Sequence, residues 1–257
     1  MKVVILSGGL GTRLREETEF KPKPMLQIGE NPILWHIMKS YSCYGHKDFV
    51  LCLGYKGEII RDYFFNYDLH HSSVMLELGT KKVLKINSEH DERDWKLWMV
   101  DTGQDTLTGG RLKRVQKYIS DDVFMVTYGD GVADINIQKL LEFHYSHGKL
   151  ATVTAVRPSS RFGELTIEGN QVKSFREKPQ VQAGWINGGF FVFQKEAFDF
   201  LSGDQESLEQ GLLEKLTGKN ELAVFLHDGF WQCMDTYREM QLLNDLWKQK
   251  KAPWKIW

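Results

Sequence analysis

Short apolar runs alternate with segments of helical spacing along most of the chain, and this rhythm constrains the fold more than any other feature. The apolar runs, typical of strands that are buried on both faces, occupy residues 2–6, 49–53, 123–127 and 150–156. Segments with apolar residues at helical spacing lie between them, at 32–41, 57–65 and 137–147. Repeated strand–helix–strand units pack with helices on both faces of a sheet, so the pattern predicts an α/β fold with a mostly parallel, doubly wound sheet.

Two stretches interrupt this rhythm. Residues 69–98 are polar and rich in histidine and charge, which predicts a solvated loop or an edge hairpin. Residues 161–194 contain short alternating runs between turns, which predict antiparallel strands added to the main sheet. The tail at 237–249 has helical apolar spacing and predicts a final helix. Because the chain has no internal repeat, low-complexity block or Gly/Ser-rich linker, we expect residues 1–257 to form one domain.

Composition narrows the classes of partner. The 257 residues include 33 Lys and Arg against 34 Asp and Glu, so the basic excess typical of nucleic-acid binding is missing. No apolar run approaches the ~18 residues that a membrane span needs. Cys43, Cys52 and Cys233 lie too far apart to indicate a zinc cluster or a disulfide framework. We therefore expect a reduced, cytoplasmic protein that binds neither nucleic acid nor membrane.

The first predicted strand is followed by a glycine-rich segment, Ser-Gly-Gly-Leu-Gly-Thr-Arg-Leu at 7–14. Glycines let backbone N–H groups approach an anion closely, and open α/β sheets bind ligands at the carboxyl ends of their strands. A dinucleotide-binding fingerprint would need glycine or alanine at Leu14, and a P-loop would need Gly-Lys-Ser/Thr where this chain has Gly-Thr-Arg. The segment thus predicts an anion-binding loop of neither type, with a plain strand-to-helix turn as the weaker alternative.

Fixed positive charge lies in and after this loop. Arg13 offers a planar fork for phosphate oxygens, and Lys-Pro-Lys-Pro at 21–24 adds two compact cations. The prolines hold this segment extended, so its neighbouring side chains point in different directions. The spacing leaves open whether Lys21 or Lys23 faces a ligand.

Two aspartates are candidate metal ligands. Asp130 directly follows a predicted buried strand, where a carboxylate suits a Mg²⁺ that also takes phosphate oxygens. Asp235 follows another short apolar run and would supply the second carboxylate. Each has a structural alternative: a turn aspartate at 130, and at 235 an N-cap of the final helix, which Thr236 could provide equally well. Sequence spacing does not place the two side chains together.

Taken together, these motifs resemble those of the sugar-phosphate nucleotidylyltransferase family over essentially the whole chain. The glycine loop, LSGGLGTRL at 6–14, and KPKPM at 21–25 are typical of the superfamily. Narrower motifs are typical of its cytidylyl-transferring branch, namely TGGRLKRV at 108–115, TYGDGVAD at 127–134 and KAPWK at 251–255. The resemblance implies a Rossmann-like, mostly parallel sheet flanked by helices, with inserted antiparallel strands that form a sugar-binding region at about 160–235.

The resemblance also implies roles for individual residues. Arg13, on the triphosphate, and Lys23, on phosphate in the transition state, would be the catalytic cations. The nucleotide would be held by Leu6, Ser7, Gly8, Gly9, Leu10, Gly11, Thr12, Arg13, Thr106, Arg111 and Gly129. The sugar phosphate would be held by Glu177, Lys178 and Asn187, and Mg²⁺ by Asp130 and Asp235.

The implied reaction joins CTP and α-D-glucose 1-phosphate into CDP-glucose and pyrophosphate, with Mg²⁺ as cofactor, in a homo-oligomer expected to be a trimer or a hexamer. Ser7 stands where the family usually has alanine, and Cys233 where proline is common. Three alternatives stay open: use of UTP, dTTP or another hexose 1-phosphate, a non-catalytic nucleotide-sugar-binding subunit, and a nicotinamide oxidoreductase. The failed dinucleotide fingerprint disfavours the last.

Overall fold

The computed structural model describes residues 1–11, 14–80, 82–88, 90–158, 164–168, 171–176 and 184–257. Its strands are β1 (Lys2–Leu6), β2 (Gln27–Ile28), β3 (Asn31–Pro32), β4 (Asp48–Leu53), β5 (Ser72–Glu77), β6 (Lys82–Ser88), β7 (Lys96–Asp101), β8 (Val123–Tyr128), β9 (Gly131–Ala133), β10 (Ala151–Val156), β11 (Glu164–Glu168), β12 (Gln171–Arg176), β13 (Ile186–Gln194), β14 (Leu222–His227) and β15 (Trp231–Cys233). Its α-helices are α1 (Arg15–Thr18), α2 (Ile33–Cys43), α3 (Gly57–Phe65), α4 (Tyr67–His70), α5 (Thr108–Val115), α6 (Ile137–His147), α7 (Glu214–Gly218) and α8 (Tyr237–Lys248). Tighter or wider helical turns include the 3₁₀ turns Lys23–Met25, Gln116–Tyr118 and Lys195–Phe200 and the π-helical turn Leu208–Leu213.

Seven strands form the central sheet, in the order β14-β10-β13-β8-β1-β4-β7. Strands β8, β1, β4 and β7 are parallel, and β10 is parallel to β14. Strand β13 lies between β8 and β10 and is antiparallel to both. The mostly parallel α/β sheet that the sequence predicts is therefore confirmed.

The predicted addition of antiparallel strands from 161–194 is right for one strand and wrong for two. Strand β13 enters the middle of the central sheet, whereas β11 and β12 pair with each other in a separate ribbon. Residues 171–173 of β12 are all exposed, so this part of the strand has no buried face to contribute to a sheet covered on both sides.

The polar stretch at 69–98 contains the hairpin that was one of its two expected forms, because β5 and β6 pair as an antiparallel ribbon of their own. The end of the stretch differs from both expectations. Strand β7 is the parallel edge strand of the central sheet, next to β4. An edge strand keeps a partly solvated face, and Trp98 of β7 is 45% exposed. The apolar run of β7, at 97–100, crosses the end of the stretch predicted to be polar, and the strand was missed for that reason.

Two apolar cores lie on opposite faces of the central sheet because side chains alternate along each strand. In β1, Val3 and Ile5 belong to one core, and Val4 and Leu6 to the other. Helices α2, α6 and α8 contribute to the first core, and α5 and α7 contribute to the second. The helices predicted from apolar spacing, α2, α3, α6 and α8, all pack on the first core, whereas α5 and α7, which cover the other face, were not predicted from apolar spacing.

An aromatic cluster at the end of the chain closes the first core. It consists of Trp35, His36, Trp247, Trp254 and Trp257. His36 and Trp254 are fully buried, and the His36 ring centroid lies 4.6 Å from that of Trp247. Gly29, at φ +62°, lies so close that a Cβ there would come within 2.2 Å of the indole nitrogen of Trp247. The cluster therefore fixes the tail against α2.

The ends of β1, β4 and β8 meet at one edge of the sheet. The Ser7 N–H donates to the carbonyl of Cys52, at 3.1 Å, and the Gly129 N–H donates to the carbonyl of Leu6, also at 3.1 Å. The loops that follow these strands are thereby held side by side, as expected for a ligand site in an open α/β sheet. Within the described ranges, none of the helices is both long enough and apolar enough to cross a membrane.

Candidate active site

A cavity of about 370 Å³ opens where these loops meet, and we call it the first cavity. It is lined by Leu6, Ser7, Gly8, Gly9, Gly11, Lys23, Pro24, Thr106, Leu107, Thr108, Arg111, Tyr128, Gly129, Asp130 and Asp235. Most of the predicted nucleotide-binding residues are in this set, together with Lys23 and both aspartates. Leu10 is 49% exposed and does not line the cavity. Thr12 and Arg13 lie outside the described residues.

A second cavity of about 320 Å³ adjoins the first and shares Tyr128, Asp130 and Asp235 with it. Asn187, predicted to face a sugar phosphate, lines this second cavity. Glu177 and Lys178, predicted for the same role, lie outside the described residues. The two cavities form one cleft whose middle is marked by the two aspartates.

The glycine loop has two structural reasons for its glycines. A Cβ on Gly8 would lie 2.1 Å from a guanidinium nitrogen of Arg111, so only glycine fits there. Gly11 has φ +63°, a left-handed conformation that favours glycine. A Cβ on Gly9 would meet no atom within 4 Å, so its backbone faces open space in the first cavity. Close approach to a ligand, the reason expected from sequence, therefore applies best to Gly9.

Arg111 braces the floor of the first cavity. Its guanidinium, in a side chain only 4% exposed overall, donates to the carbonyls of Gly8, Leu53, Gly103 and Gln104 and to the hydroxyl of Thr102, at distances of 2.7–3.1 Å. These contacts join the loops after β1, β4 and β7. The sequence placed Arg111 near a nucleotide but did not reveal that it cross-links the loops that shape the cavity.

Lys23 is the lysine that enters the cleft. It opens the 3₁₀ turn after Pro22, and its Nζ donates to Asp130 Oδ2 at 2.7 Å and also to Asp235. Lys21 is exposed and does not line the cavity. Burial alone would lower the pKa of Lys23, but the two carboxylates together outweigh it and hold the pKa above its ordinary value. The ammonium therefore remains charged.

A two-stranded ribbon brings the aspartates together. Strand β9, just after Asp130, pairs with β15, just before Asp235, with Gly131 opposite Cys233. The Met234 N–H also donates to the carbonyl of Asp130, at 2.8 Å. Sequence spacing could not predict this pairing, because the two segments lie about a hundred residues apart in the chain.

The N-cap of α8 is Thr236, which settles one alternative left open by the sequence. Its hydroxyl accepts from the Glu239 N–H, and the Glu239 carboxylate accepts from the Thr236 N–H, a capping box. The carboxylate of Asp235 is therefore not used as the helix cap, and it points to Lys23 instead.

The two residues that depart from the family pattern both lie close to the cleft. Ser7 is 1% exposed, and its hydroxyl lies 3.4 Å from the carbonyl of Ile5. The Cys233 thiol lies 3.9 Å from Asp235 Oδ2, and burial raises its pKa to about 12. Both are therefore neutral donors that leave the charge of the cleft unchanged.

The residues of the cleft suit a divalent cation held by two carboxylates. Among the described residues, no group of three or more His, Cys, Asp or Glu side chains could enclose a metal ion. Asp130 and Asp235 nevertheless converge on one cation, the Lys23 ammonium. Two carboxylates completed by waters and ligand oxygens match the coordination that Mg²⁺ accepts.

The fold agrees with what comparison with known proteins finds. Residues 2–236 match the family model described as nucleotidyl transferase. The chain belongs to the nucleotidyl transferase family. It is 52% identical to a glucose-1-phosphate cytidylyltransferase of Salmonella typhi and 45% identical to a probable one of Bacillus subtilis, in alignments that cover 100% of both chains. Within the family it therefore groups with the glucose-1-phosphate cytidylyltransferases.

A solved structure gives the same picture of the fold. The crystal structure of HddC from Yersinia pseudotuberculosis complexed with GMP-PN has a TM-score of 0.71 and 25% identity, covering 96% of this chain and 99% of that one. The resemblance predicted from the motifs and the class of enzyme are confirmed by these comparisons. The roles of individual residues in the cleft stay predictions.

Proposed function

We propose that this enzyme transfers the cytidylyl group of CTP to α-D-glucose 1-phosphate and releases pyrophosphate. The observation that carries the proposal is the position of Lys23, Asp130 and Asp235 where the two cavities join. Two anions that react with each other need positive charge where they meet; Lys23 supplies one cation there, and the two carboxylates would hold a second, Mg²⁺. The full-length similarity to glucose-1-phosphate cytidylyltransferases supports the choice of base and sugar.

The reaction is a single displacement at phosphorus. A phosphate oxygen of glucose 1-phosphate forms a bond to the α-phosphorus of CTP, while the bond from that phosphorus to the bridging β-phosphate oxygen breaks. A phosphate monoester has its second pKa at ~6, so the nucleophile is already ionised at neutral pH and no general base is needed. The chain has to align two anions that repel each other and to spread the developing charge.

The cleft divides this task between its two cavities. The first cavity, with the open backbone at Gly9, would hold the triphosphate, and the second, with Asn187, would hold the sugar phosphate. Lys23, at the junction, would donate to phosphate oxygens whose charge grows in the transition state. Arg13 would add the second cation.

Asp130 and Asp235 would hold Mg²⁺. When bound, the ion neutralises phosphate charge and helps to orient the α-phosphate. Because the same two carboxylates now hold the Lys23 ammonium, their engagement by the ion would release this lysine for the phosphates. The expected homo-oligomer, a trimer or a hexamer, stays a prediction.

The choice of substrate is tested by pyrophosphate release with glucose 1-phosphate and each of CTP, UTP, dTTP and GTP. We expect turnover with CTP to exceed that with the other three nucleotides. A faster rate with UTP or dTTP would assign the enzyme to another base. Binding of CTP without pyrophosphate release would favour the non-catalytic alternative.

The metal assignment is tested with Asp130→Asn and Asp235→Asn. Both variants should need more Mg²⁺ for half-maximal rate, and calorimetric titration of Mg²⁺ in the presence of CTP should show weaker binding. Asp245→Asn, an exposed change in α8, is the matched control. Mg²⁺ titrations that match the wild type would remove these two residues from the metal site.

A further inference from the structure

A chain of hydrogen bonds connects the walls of the two cavities through a residue that the motifs do not include. Thr108 lines the first cavity, Asn187 lines the second, and Tyr128 lines both. Glu209 reaches them from the π-helical turn Leu208–Leu213. One of its carboxylate oxygens accepts from the Tyr128 hydroxyl, and the other accepts from the Thr108 hydroxyl at 3.0 Å.

The direction of the bond between Asn187 and Tyr128 is set by the backbone. The Gly189 N–H donates to Asn187 Oδ1 at 2.8 Å, so the Asn187 amide turns its Nδ2 toward the Tyr128 oxygen, 3.4 Å away. Tyr128 therefore accepts on this side, and its single proton is left for Glu209. A Cβ on Gly189 would lie 2.4 Å from the Tyr128 ring, so the ring packs directly on this glycine.

The other end of the chain has a fixed direction for the same reason. The Leu208 N–H donates to the Thr108 hydroxyl at 2.7 Å. The Thr108 hydroxyl is thus an acceptor toward the backbone and gives its own proton to Glu209. Both proton-donating chains end on Glu209, and only a group with two acceptor oxygens satisfies them.

We propose that Glu209 is a positioning residue for the sugar phosphate, an inference that rests on the proposed function of the cleft. By accepting the Tyr128 proton, Glu209 keeps the phenol oxygen available to Asn187, and the bond from Asn187 Nδ2 then reinforces the amide orientation that the Gly189 N–H sets. That orientation gives the second cavity an N–H donor and commits the amide oxygen to Gly189. The sugar phosphate would meet Asn187 through an oxygen that accepts a hydrogen bond.

The test compares how Glu209→Gln changes two Michaelis constants, KM for glucose 1-phosphate and KM for CTP. A neutral amide offers one acceptor oxygen, so either Tyr128 or Thr108 loses its partner. We expect KM for glucose 1-phosphate to rise about tenfold, the cost of one hydrogen bond to a charged group, while KM for CTP changes by less than about twofold. Glu214→Gln, the same change of charge at the exposed first residue of α7, five residues after Glu209, should change neither.

Two further measurements make the result decisive. Tyr128→Phe should raise the same KM, and the double variant should be no worse than Tyr128→Phe alone, because Glu209 acts through Tyr128. Equal rises in both Michaelis constants, or additive effects in the double variant, would overturn the positioning role. If circular dichroism shows that Glu209→Gln unfolds, Tyr128→Phe alone decides the outcome, through a rise in KM for glucose 1-phosphate without a matching rise in KM for CTP.

Failure of this inference is distinguishable from failure of the proposed function. Calorimetric binding of glucose 1-phosphate, in the presence of a non-hydrolysable CTP analogue, needs no turnover. A wild-type enzyme that forms no CDP-glucose would contradict the proposed function, while weaker binding by Glu209→Gln would still support positioning. Turnover by the wild type together with unchanged binding in the variant would overturn positioning alone.

Discussion

The cleft and the aromatic cluster each bury a side chain that can carry a proton, and they treat its charge in opposite ways. In the cleft, two carboxylates hold the pKa of Lys23 above its ordinary value in spite of burial. In the aromatic cluster, burial lowers the pKa of His36 to about 4. The comparison teaches that partners, more than burial, decide whether a charge persists inside this protein.

The partners of His36 are arranged for the neutral ring. The Nε2–H donates to the carbonyl of Ile28 at 2.9 Å, and the Trp254 indole N–H donates to Nδ1 at 3.4 Å. A proton on Nδ1 would face the indole N–H and remove that acceptor. The cluster therefore serves stability, whereas the charged side chains of the cleft are proposed to serve the reaction.

The largest expected effect tests the stabilising role of the aromatic cluster, and it is a loss of folding stability on replacing Trp254. Replacement by alanine removes a fully buried indole, so Trp254→Ala should lower the free energy of unfolding by about 3–5 kcal/mol. Urea denaturation measures the loss. Trp98→Ala, at a half-exposed tryptophan of β7, is the matched control and should cost much less. Equal costs at the two positions would contradict the assignment of Trp254 to the core.

The second effect is on turnover. Lys23→Ala should lower kcat by about 10²- to 10³-fold, because it removes a cation from charge that grows in the transition state. The variant should remain folded, because the change removes the ion pairs of Lys23 but leaves the apolar cores intact. Lys21→Ala, two residues away and exposed, is the control expected to keep kcat. A normal kcat in Lys23→Ala would refute the role proposed for this lysine.

The smallest effect is the pH dependence of stability. The folded pKa of His36 is about 4 and the ordinary value is 6.5, so between these pH values the unfolded chain binds more protons. Stability should therefore rise with pH across this window and be lost as pH falls, by up to about 3 kcal/mol from His36. The pKa of His144 is also lowered by burial to about 4, and this residue should act in the same direction.

Two histidine variants isolate the contribution of His36. His36→Gln should flatten the dependence of the free energy of unfolding on pH between 4 and 6.5, measured by urea denaturation at several pH values. His70→Gln, at an exposed histidine of α4, should leave the slope unchanged. An unaltered slope in His36→Gln would show that His36 does not titrate in this window.

Local signals in the sequence predicted much of the fold. Helices α3 and α6 have the bounds that apolar spacing predicted, and β1 matches its apolar run. The misses came from long-range pairing. Strand β7, whose residues 97–100 are all apolar, joins the edge of the central sheet beside β4, and β12 has the alternation of a sheet strand but pairs in a separate ribbon. Periodicity describes a face of an element and does not identify the neighbour that covers it.

The same limit explains what was missed in the cleft. Lys23 and Asp130 stood in recognisable motifs, and the family resemblance already favoured Lys23 over Lys21, which spacing alone left open. The release of Asp235 from capping depended on three-dimensional contacts. Arg111 was predicted near the nucleotide, but its bonds to four carbonyls come from loops far apart in the chain. Glu209 left no signal, because it acts through Tyr128 and stands in no motif.

The β9–β15 ribbon has a consequence for how the protein acquires activity during synthesis. One member of the aspartate pair stands in the middle of the chain and the other near its end, and the ribbon is what makes them neighbours. A growing polypeptide still on the ribosome can complete its first βαβ unit and yet lack this pair. Partly made copies should therefore be unable to consume nucleotide, and activity should switch on only when the last strand has docked.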